Sequence, residues 1–325
     1  MNYNFFQRFL HGAVLKNQIV KEASFSLEKS LTNVDLVREC SAHVFVTGMA
    51  RSGTTILLQS LHDTGKFASL TYADMPFVLS PNLWSKFDHN NQDVKSQERA
   101  HGDRIIVNTN SPEAFEEIFW TTFDQEEAEK NFSLFIQLVL TRYEKNRYLS
   151  KNNQNIHRIG NLSRLFPSAQ ILIPYRTPLL HAYSILKQHI RFCHLQKNDN
   201  FIRNYMYWTA HSEFGLDYVP LKPSKIYHDY HSLNHWLEQW ELVYEDLINN
   251  YSSLKNVKFI NYERLCGSPQ YWECLAKFVG ISASKPTTFV MSKAKVTEDY
   301  DHSLLSRAVS IYKEISKSNT LNSIA

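Results

Sequence analysis

The stretch FVTGMARSGTTILLQSL, residues 45–61, reads as a strand, a glycine turn and a helix. Gly48 and Gly53 stand with four residues between them, as in a P-loop, but Thr54 takes the place of the P-loop lysine ahead of Thr55. A turn from a buried strand into a helix exposes backbone N–H groups at the positive end of the helix dipole, which makes an anion site. The glycines let the backbone turn sharply and approach a ligand. Ser52, Thr54 and Thr55 add hydroxyl donors, and Arg51 adds a planar charged fork. In a nucleoside triphosphatase the lysine reaches the β- and γ-phosphates and the second hydroxyl binds Mg²⁺. Losing the lysine argues for a ligand with less charge at this end and no metal, such as a 5′-phosphosulfate.

Outside the loop, other apolar runs of strand type lie at 43–48, 67–72, 104–109, 169–176 and 257–262. Their near-continuous apolar character predicts parallel strands covered on both faces. Helical spacing lies between them. Ile156, Ile159, Leu162 and Leu165 recur every three residues, and Leu237, Trp240, Val243, Tyr244 and Leu247 follow the same logic. Asp301 is placed to cap a helix carrying Leu304, Leu305, Ala308, Tyr312 and Ile315. The alternation predicts one α/β domain over residues 1–325, a three-layer P-loop-like fold whose central, mostly parallel sheet is flanked by helices. The stretch 190–235 lacks clear periodicity and reads as an insertion near the ligand, a lid.

Composition narrows the function classes. A chain of 325 residues that is 43% hydrophobic can bury a sizeable core, and a net charge of +3 allows a local anion pocket without indicating a nucleic-acid-binding surface. Cys40, Cys193, Cys266 and Cys274 form no CxxC pair and no zinc spacing, which fits reduced thiols in a cytoplasmic protein rather than a disulfide framework. No run of about 18 apolar residues is present, so no membrane span is expected. The N-terminal apolar stretch is interrupted by His11, Lys16 and Gln18 and reads as an amphipathic helix rather than a signal peptide.

A second strand enters a helix at AQILIPYRTPLLHAYSILKQH, residues 169–189. Arg176 ends the strand, Pro178 sits where a first helical turn tolerates it, and Ser184 follows eight residues after the arginine. A ligand held by both would lie along the outside of the helix start. Together with the first loop, these residues resemble the sulfotransferase superfamily that uses 3′-phosphoadenosine 5′-phosphosulfate (PAPS). Arg51-Ser52-Gly53-Thr54-Thr55 resembles its 5′-phosphosulfate loop. Arg176 and Ser184, in the pattern R-x-P-x5-S, resemble its 3′-phosphate site. YLSKNNQNIHRIGNLSRLFPSAQILIPYR (148–176) and FINYERLCGSP (259–269) resemble further stretches of the family. The likeness touches about residues 43–72 and 146–190 firmly and 236–270 loosely. The basic, glycine-rich C-terminal segment of many members has no clear equivalent, and Lys293 and Lys295 are candidate substitutes.

The resemblance implies sulfuryl transfer from PAPS to a hydroxyl on a glycan, lipid or small metabolite, without a metal. Lys151 ends the run RYLSK at the same sheet edge as the two anion sites, and the family places a lysine there against the bridging oxygen. Many members carry a catalytic histidine two residues later, where this chain has Asn153. Other branches use a carboxylate after the second strand, which points to Asp74 as the acceptor base. Asp74 equally fits a cap for the turn before a helix. Glu113, Glu116 and Glu117 read as helix-start acids, His101 and Asp103 as rival bases, and His181 and His189 as packing or nucleotide-edge residues. Segments 73–135 and 190–235 are left to form the acceptor pocket, with Trp84, Phe119, Trp120, Tyr205, Tyr207 and Trp208 available to line it. The rival readings are a P-loop kinase and a non-catalytic nucleotide- or anion-binding protein.

Overall fold

The structure is a computed structural model that describes residues 5–34, 42–87, 96–99, 102, 105–282, 289–292, 294–318 and 321. Its strands are β1 (Val44–Val46), β2 (Gln97–Glu98), β3 (Ile106–Val107), β4 (Leu149–Lys151), β5 (Gln170–Tyr175) and β6 (Val257–Asn261). Four of them form a parallel sheet in the order β4-β1-β5-β6. Val46 sits opposite Lys151 on one side and Leu172 on the other, so β1 is central and all four carboxyl ends face the same edge.

Alternation along the strands builds two cores. Phe45, Ile171, Ile173 and Phe259 point into one, shared with helices Gln125–Tyr143, Pro178–Asn198, Leu233–Tyr251 and His302–Lys317. Val44, Val46, Leu172 and Ile260 point into the other, shared with helices Thr54–His62 and Pro269–Phe278. Burial on both faces is why these strands read as unbroken apolar runs. Asp301 accepts from the N–H groups of Ser303 and Leu304 and caps the last helix, and Pro178 stands in the first turn of its helix. Among the described residues no helix is long and apolar enough to cross a membrane.

The structure differs from the sequence reading at three elements. The run at 104–109 contributes only β3, which pairs antiparallel with β2 outside the parallel sheet. Ile106 is exposed there, so the apolar run does not signal two-sided burial. The run at 67–72 contributes two isolated bridges, a parallel one from Ala68 to Tyr148 at the β4 edge and an antiparallel one from Thr71 to Pro112. The stretch 190–235 is helical from its start to Trp208 apart from a break at Asp199. Helix Pro178–Asn198 runs into it, and Asp199 caps a further helix, Asn200–Trp208. The buried stripe of the longer helix passes through His189 and Gln196, and these polar side chains conceal its period. Cys40 lies outside the described residues, and Cys193, Cys266 and Cys274 are free thiols.

Candidate active site

The loop after β1 is shaped by backbone that side chains rarely adopt. Gly48 has φ 136°, Arg51 φ 68° and Gly53 φ 103°, and the helix Thr54–His62 starts directly after Gly53. A Cβ on Gly53 would stand 2.3 Å from Cδ2 of Tyr262, so only glycine fits beneath that ring. His181, buried under the loop, binds the Ala50 carbonyl through Nε2 at 2.8 Å. Burial, then the neighbouring Arg176, push its pKa down to about 3, so a neutral imidazole donates Nε2–H.

The two strand–helix junctions abut. Arg176 Nη1 donates to the Arg51 carbonyl at 3.0 Å, and Arg51 Nε donates to Ser184 Oγ at 3.4 Å. The Arg176 guanidinium lies 5.1 Å from the centre of the Tyr262 ring, and its Nε is buried with no hydrogen-bond partner among the described residues. Glu263 accepts from Thr177 N and Oγ1 at 2.9 and 3.2 Å, which fixes the start of the second helix. One tyrosine–glutamate pair after β6 therefore braces both junctions.

A second group of charges lies at the end of β4. Lys151 is buried to 7% exposure. Glu113 accepts from Tyr72 Oη at 3.1 Å and from the Ala114 N–H at 2.9 Å, and pairs with Arg99 at 3.5 Å. Arg99 also donates to Thr55 Oγ1 at 3.3 Å, which ties this group to the loop. Burial pushes the Glu113 carboxyl up, yet Arg99, Lys151 and His211 together hold it below its ordinary value. Glu213 accepts from Asn153 Nδ2 at 2.9 Å and faces His211 Nδ1 at 3.5 Å. Burial pushes Glu213 up as well, and His211 and Lys151 outweigh it and bring the carboxyl down to about 2.

Both groups open into one cavity of about 1140 Å³. Single-ligand pockets span roughly 300–1,000 Å³, so there is room for a nucleotide and a second molecule. The cavity is also lined by Phe192, Ile202, Met206 and Phe214, which cluster with Ala50 of the loop, and by Arg8 and Asp199, which pair at 3.3 Å.

Arg51, Gly53, Thr54, Thr55, Lys151, Arg176 and Ser184 all line this cavity. Ser52 does not; it is fully buried behind the loop and its N–H binds the Met49 carbonyl. Asp74 is not brought to the cavity either. It closes a capping box with Thr71 on the short 3-10 turn Tyr72–Asp74, accepts from Tyr143 Oη at 2.5 Å, and has Arg142 at 3.9 Å. Burial outweighs these contacts and raises its pKa to about 6. Glu116 and Glu117 turn inward to the segment after β4, while Glu113 alone of the three lines the cavity. Of the six aromatics expected in the pocket only Tyr205 lines it; Phe119 and Trp120 pack in the core, and Tyr207 is exposed. Lys295 is exposed and does not line the cavity, and His101, Asp103 and Lys293 lie outside the described residues. Sequence reasoning missed Arg99, His211, Glu213 and Tyr262. Of these, only Tyr262 carried a signal, as part of the Tyr-Glu-x-Leu stretch.

Fold and site define an α/β protein in which two strand–helix junctions abut and open, together with Lys151, into one large cavity. The chain belongs to the sulfotransferase family, whose family model matches residues 43–282. The search of curated proteins gives no match. Among solved structures, sulfotransferase STF1 from Mycobacterium tuberculosis is 12% identical, with a TM-score of 0.48 over 83% of this chain and 76% of that one. Sulfotransferase STF9 from Mycobacterium avium is 10% identical, with a TM-score of 0.46 over 96% and 78%. A sulfotransferase from Alicyclobacillus acidocaldarius is 13% identical, with a TM-score of 0.42 over 85% and 92%.

Proposed function

We propose that this protein transfers a sulfuryl group from PAPS to a hydroxyl acceptor in the cytoplasm and releases 3′-phosphoadenosine 5′-phosphate (PAP). The observation that carries the reading is the direct linkage of the two junctions, Arg176 to the Arg51 carbonyl and Arg51 to Ser184, at one end of a cavity that also holds Lys151. The residues fit such a donor. The Gly53 turn presents its N–H groups, and the buried Arg176 Nε is a donor that a phosphate oxygen would satisfy. The loop and Arg51 would hold the 5′ end, and Arg176 and Ser184 the 3′-phosphate. The donor supplies the sulfuryl group: the acceptor oxygen bonds to sulfur, the sulfur–oxygen bond to the 5′-phosphate breaks, and that phosphate oxygen keeps the electron pair. Lys151, which lines the same cavity, would stabilise charge on the departing oxygen. Asp74, turned into its capping box, is not assigned the acceptor proton. The wall of Phe192, Ile202, Met206 and Phe214 favours an acceptor whose hydroxyl is carried on an apolar body, a lipid or apolar metabolite, over a glycan.

Calorimetry with PAP and adenosine 5′-monophosphate tests the nucleotide assignment. The wild-type protein is expected to prefer PAP, because adenosine monophosphate leaves the Arg176 guanidinium unpaired. Arg176→Ala should cost about 1.5–3 kcal/mol in PAP binding, on the order of ten- to a hundredfold, and remove most of the preference. Equal affinity of the wild-type protein for both nucleotides, or Mg²⁺-dependent ATP turnover, would overturn the reading in favour of a kinase or another nucleotide binder.

A further inference from the structure

We propose that His211 takes the acceptor's proton, and that Glu213 and Asn153 hold it for that task. The proposal rests on the sulfuryl-transfer reading above and assigns a proton acceptor that the loop motifs do not supply. Asn153 follows Lys151 by two residues, and its Nδ2 donates to Glu213 Oε1 at 2.9 Å. The other oxygen of the same carboxylate faces His211 Nδ1 at 3.5 Å. A carboxylate at Nδ1 selects the tautomer with Nδ1–H and leaves the Nε2 lone pair for a proton. His211, Glu213, Asn153 and Lys151 all line the cavity, and His211 and Lys151 each act electrostatically on both Glu113 and Glu213. The imidazole and the lysine thus share one cavity, the space in which the acceptor oxygen would meet the sulfuryl group.

The backbone around His211 is built rather than incidental. Helix Asn200–Trp208 ends, and Ala210 takes a left-handed φ of 57°, a conformation that costs a non-glycine residue free energy. The His211 N–H then returns to the Met206 carbonyl at 2.8 Å. On the far side, Gly215 N donates to His189 Nδ1 at 3.3 Å and Leu216 N to Gln196 Oε1 at 2.6 Å. The turn 209–216 is thus anchored at both ends, and His211 is directed from a fixed frame. Two other carboxylates compete for the role. Glu113 is engaged by Tyr72, Ala114 and Arg99 and held below its ordinary pKa, so it is a fixed anion rather than a proton acceptor. Asp74 does not reach the cavity.

The proton moves from the acceptor oxygen to His211 Nε2 as that oxygen bonds to sulfur, and the imidazolium formed is neutralised by Glu213. Asn153 and Glu213 are positioning residues, and only His211 meets the acceptor. Nitrogen-15 NMR of histidine-labelled protein, with and without PAP, reads the tautomer directly. Neutral His211 is expected with Nδ1–H and a bare Nε2, and Glu213→Ala should mix the tautomers. An Nε2–H tautomer in the wild-type protein overturns the proposal, as does a tautomer indifferent to Glu213→Ala. Transfer is then compared with two acceptor probes, 1-octanol and 4-nitrophenol, the second already ionised at the assay pH. His211→Gln is expected to lower transfer to octanol by about 10²–10⁴-fold, to spare transfer to the nitrophenolate, and to leave PAP affinity unchanged. Equal losses on both probes also overturn it. A wild-type protein that fails to bind PAP defeats the underlying reading instead, and the tautomer measurement still decides the relay.

Discussion

Gly53 meets two separate demands, and each alone excludes other residues. Its φ of 103° is strained for any residue with a Cβ, and the ring of Tyr262 fills the space a Cβ would take. The backbone term is worth about 1–2 kcal/mol, and forcing the ring aside adds about 1–3 kcal/mol. Gly53→Ala should therefore unfold at clearly lower urea, and Gly53→Ala with Tyr262→Ala should regain only the part of the Gly53 penalty that comes from the ring, read against Tyr262→Ala alone in a double-mutant cycle. Additive losses in that cycle would mean the contact with Tyr262 is not what fixes the glycine. The spacing of Gly48 and Gly53 was legible in the sequence because strand, turn and helix are local. The ring that covers Gly53 comes from after β6 and has no local signature at the loop. Asp74 had two readings in the sequence, acceptor base and turn cap, and the structure shows the cap. The sequence Thr71-Tyr72-Ala73-Asp74 allows a capping box, and that short-range bond, reinforced by Tyr143 and Arg142, takes the carboxylate away from the cavity.

The segment that follows β4 is held by acids from a helix far away in sequence. Asn152 Nδ2 donates to Glu117 Oε2 at 2.7 Å, and Arg158 meets both Glu117 oxygens at 2.7 and 2.8 Å. Glu116 accepts from Asn155 at 2.7 Å and from Tyr148 Oη at 3.1 Å. Helix Glu116–Trp120 thus clamps both sides of Lys151, and the clamp explains how a three-residue strand can present a buried lysine reliably. Removing one member of a buried pair leaves the other uncompensated, at a cost of about 3–5 kcal/mol. Glu117→Ala is expected to lose stability on that scale in urea unfolding. Arg164→Ala, whose Glu129 pair is largely exposed, should lose under about 1 kcal/mol. Similar losses for the two would show that the clamp carries no special share. As a sequence feature these acids looked like dipole partners at a helix start, because nothing local reveals that a helix end is packed against a distant turn. The strands of the parallel sheet were legible for the reason that they are buried on both faces. The run at 104–109 has a similar apolar centre in an antiparallel pair where Ile106 is exposed, and apolar character alone does not separate the two cases.

Across the whole molecule, buried titratable groups set how the fold answers acid, with contributions of opposite sign. Burial, then Arg147, bring His43 down to about 4 from an ordinary 6.5, and His181 lies at about 3. A histidine whose folded pKa is lowered binds its proton more readily when unfolded. Its contribution is therefore complete above pH 6.5 and is lost as pH falls toward the folded value. Asp74 runs the other way. Its folded pKa of about 6 exceeds the ordinary 3.8, so the folded protein holds an extra proton between those values and loses that stabilisation as pH rises through 6. Between pH 6 and 4 these three groups leave the unfolded chain about one proton richer, a fall in stability of about 1.4 kcal/mol per pH unit on acidification. Asp74→Asn deletes the opposing contribution without touching either histidine. The absolute stability of that variant changes with the cap, but its slope is the informative quantity. Urea unfolding measured at several pH values between 6 and 4.5 should give a slope steeper than that of the wild type by about 1.4 kcal/mol per pH unit. An unchanged slope would mean that Asp74 is ionised throughout this range in the folded protein. It would then be a charged cap rather than the protonated one that its burial implies.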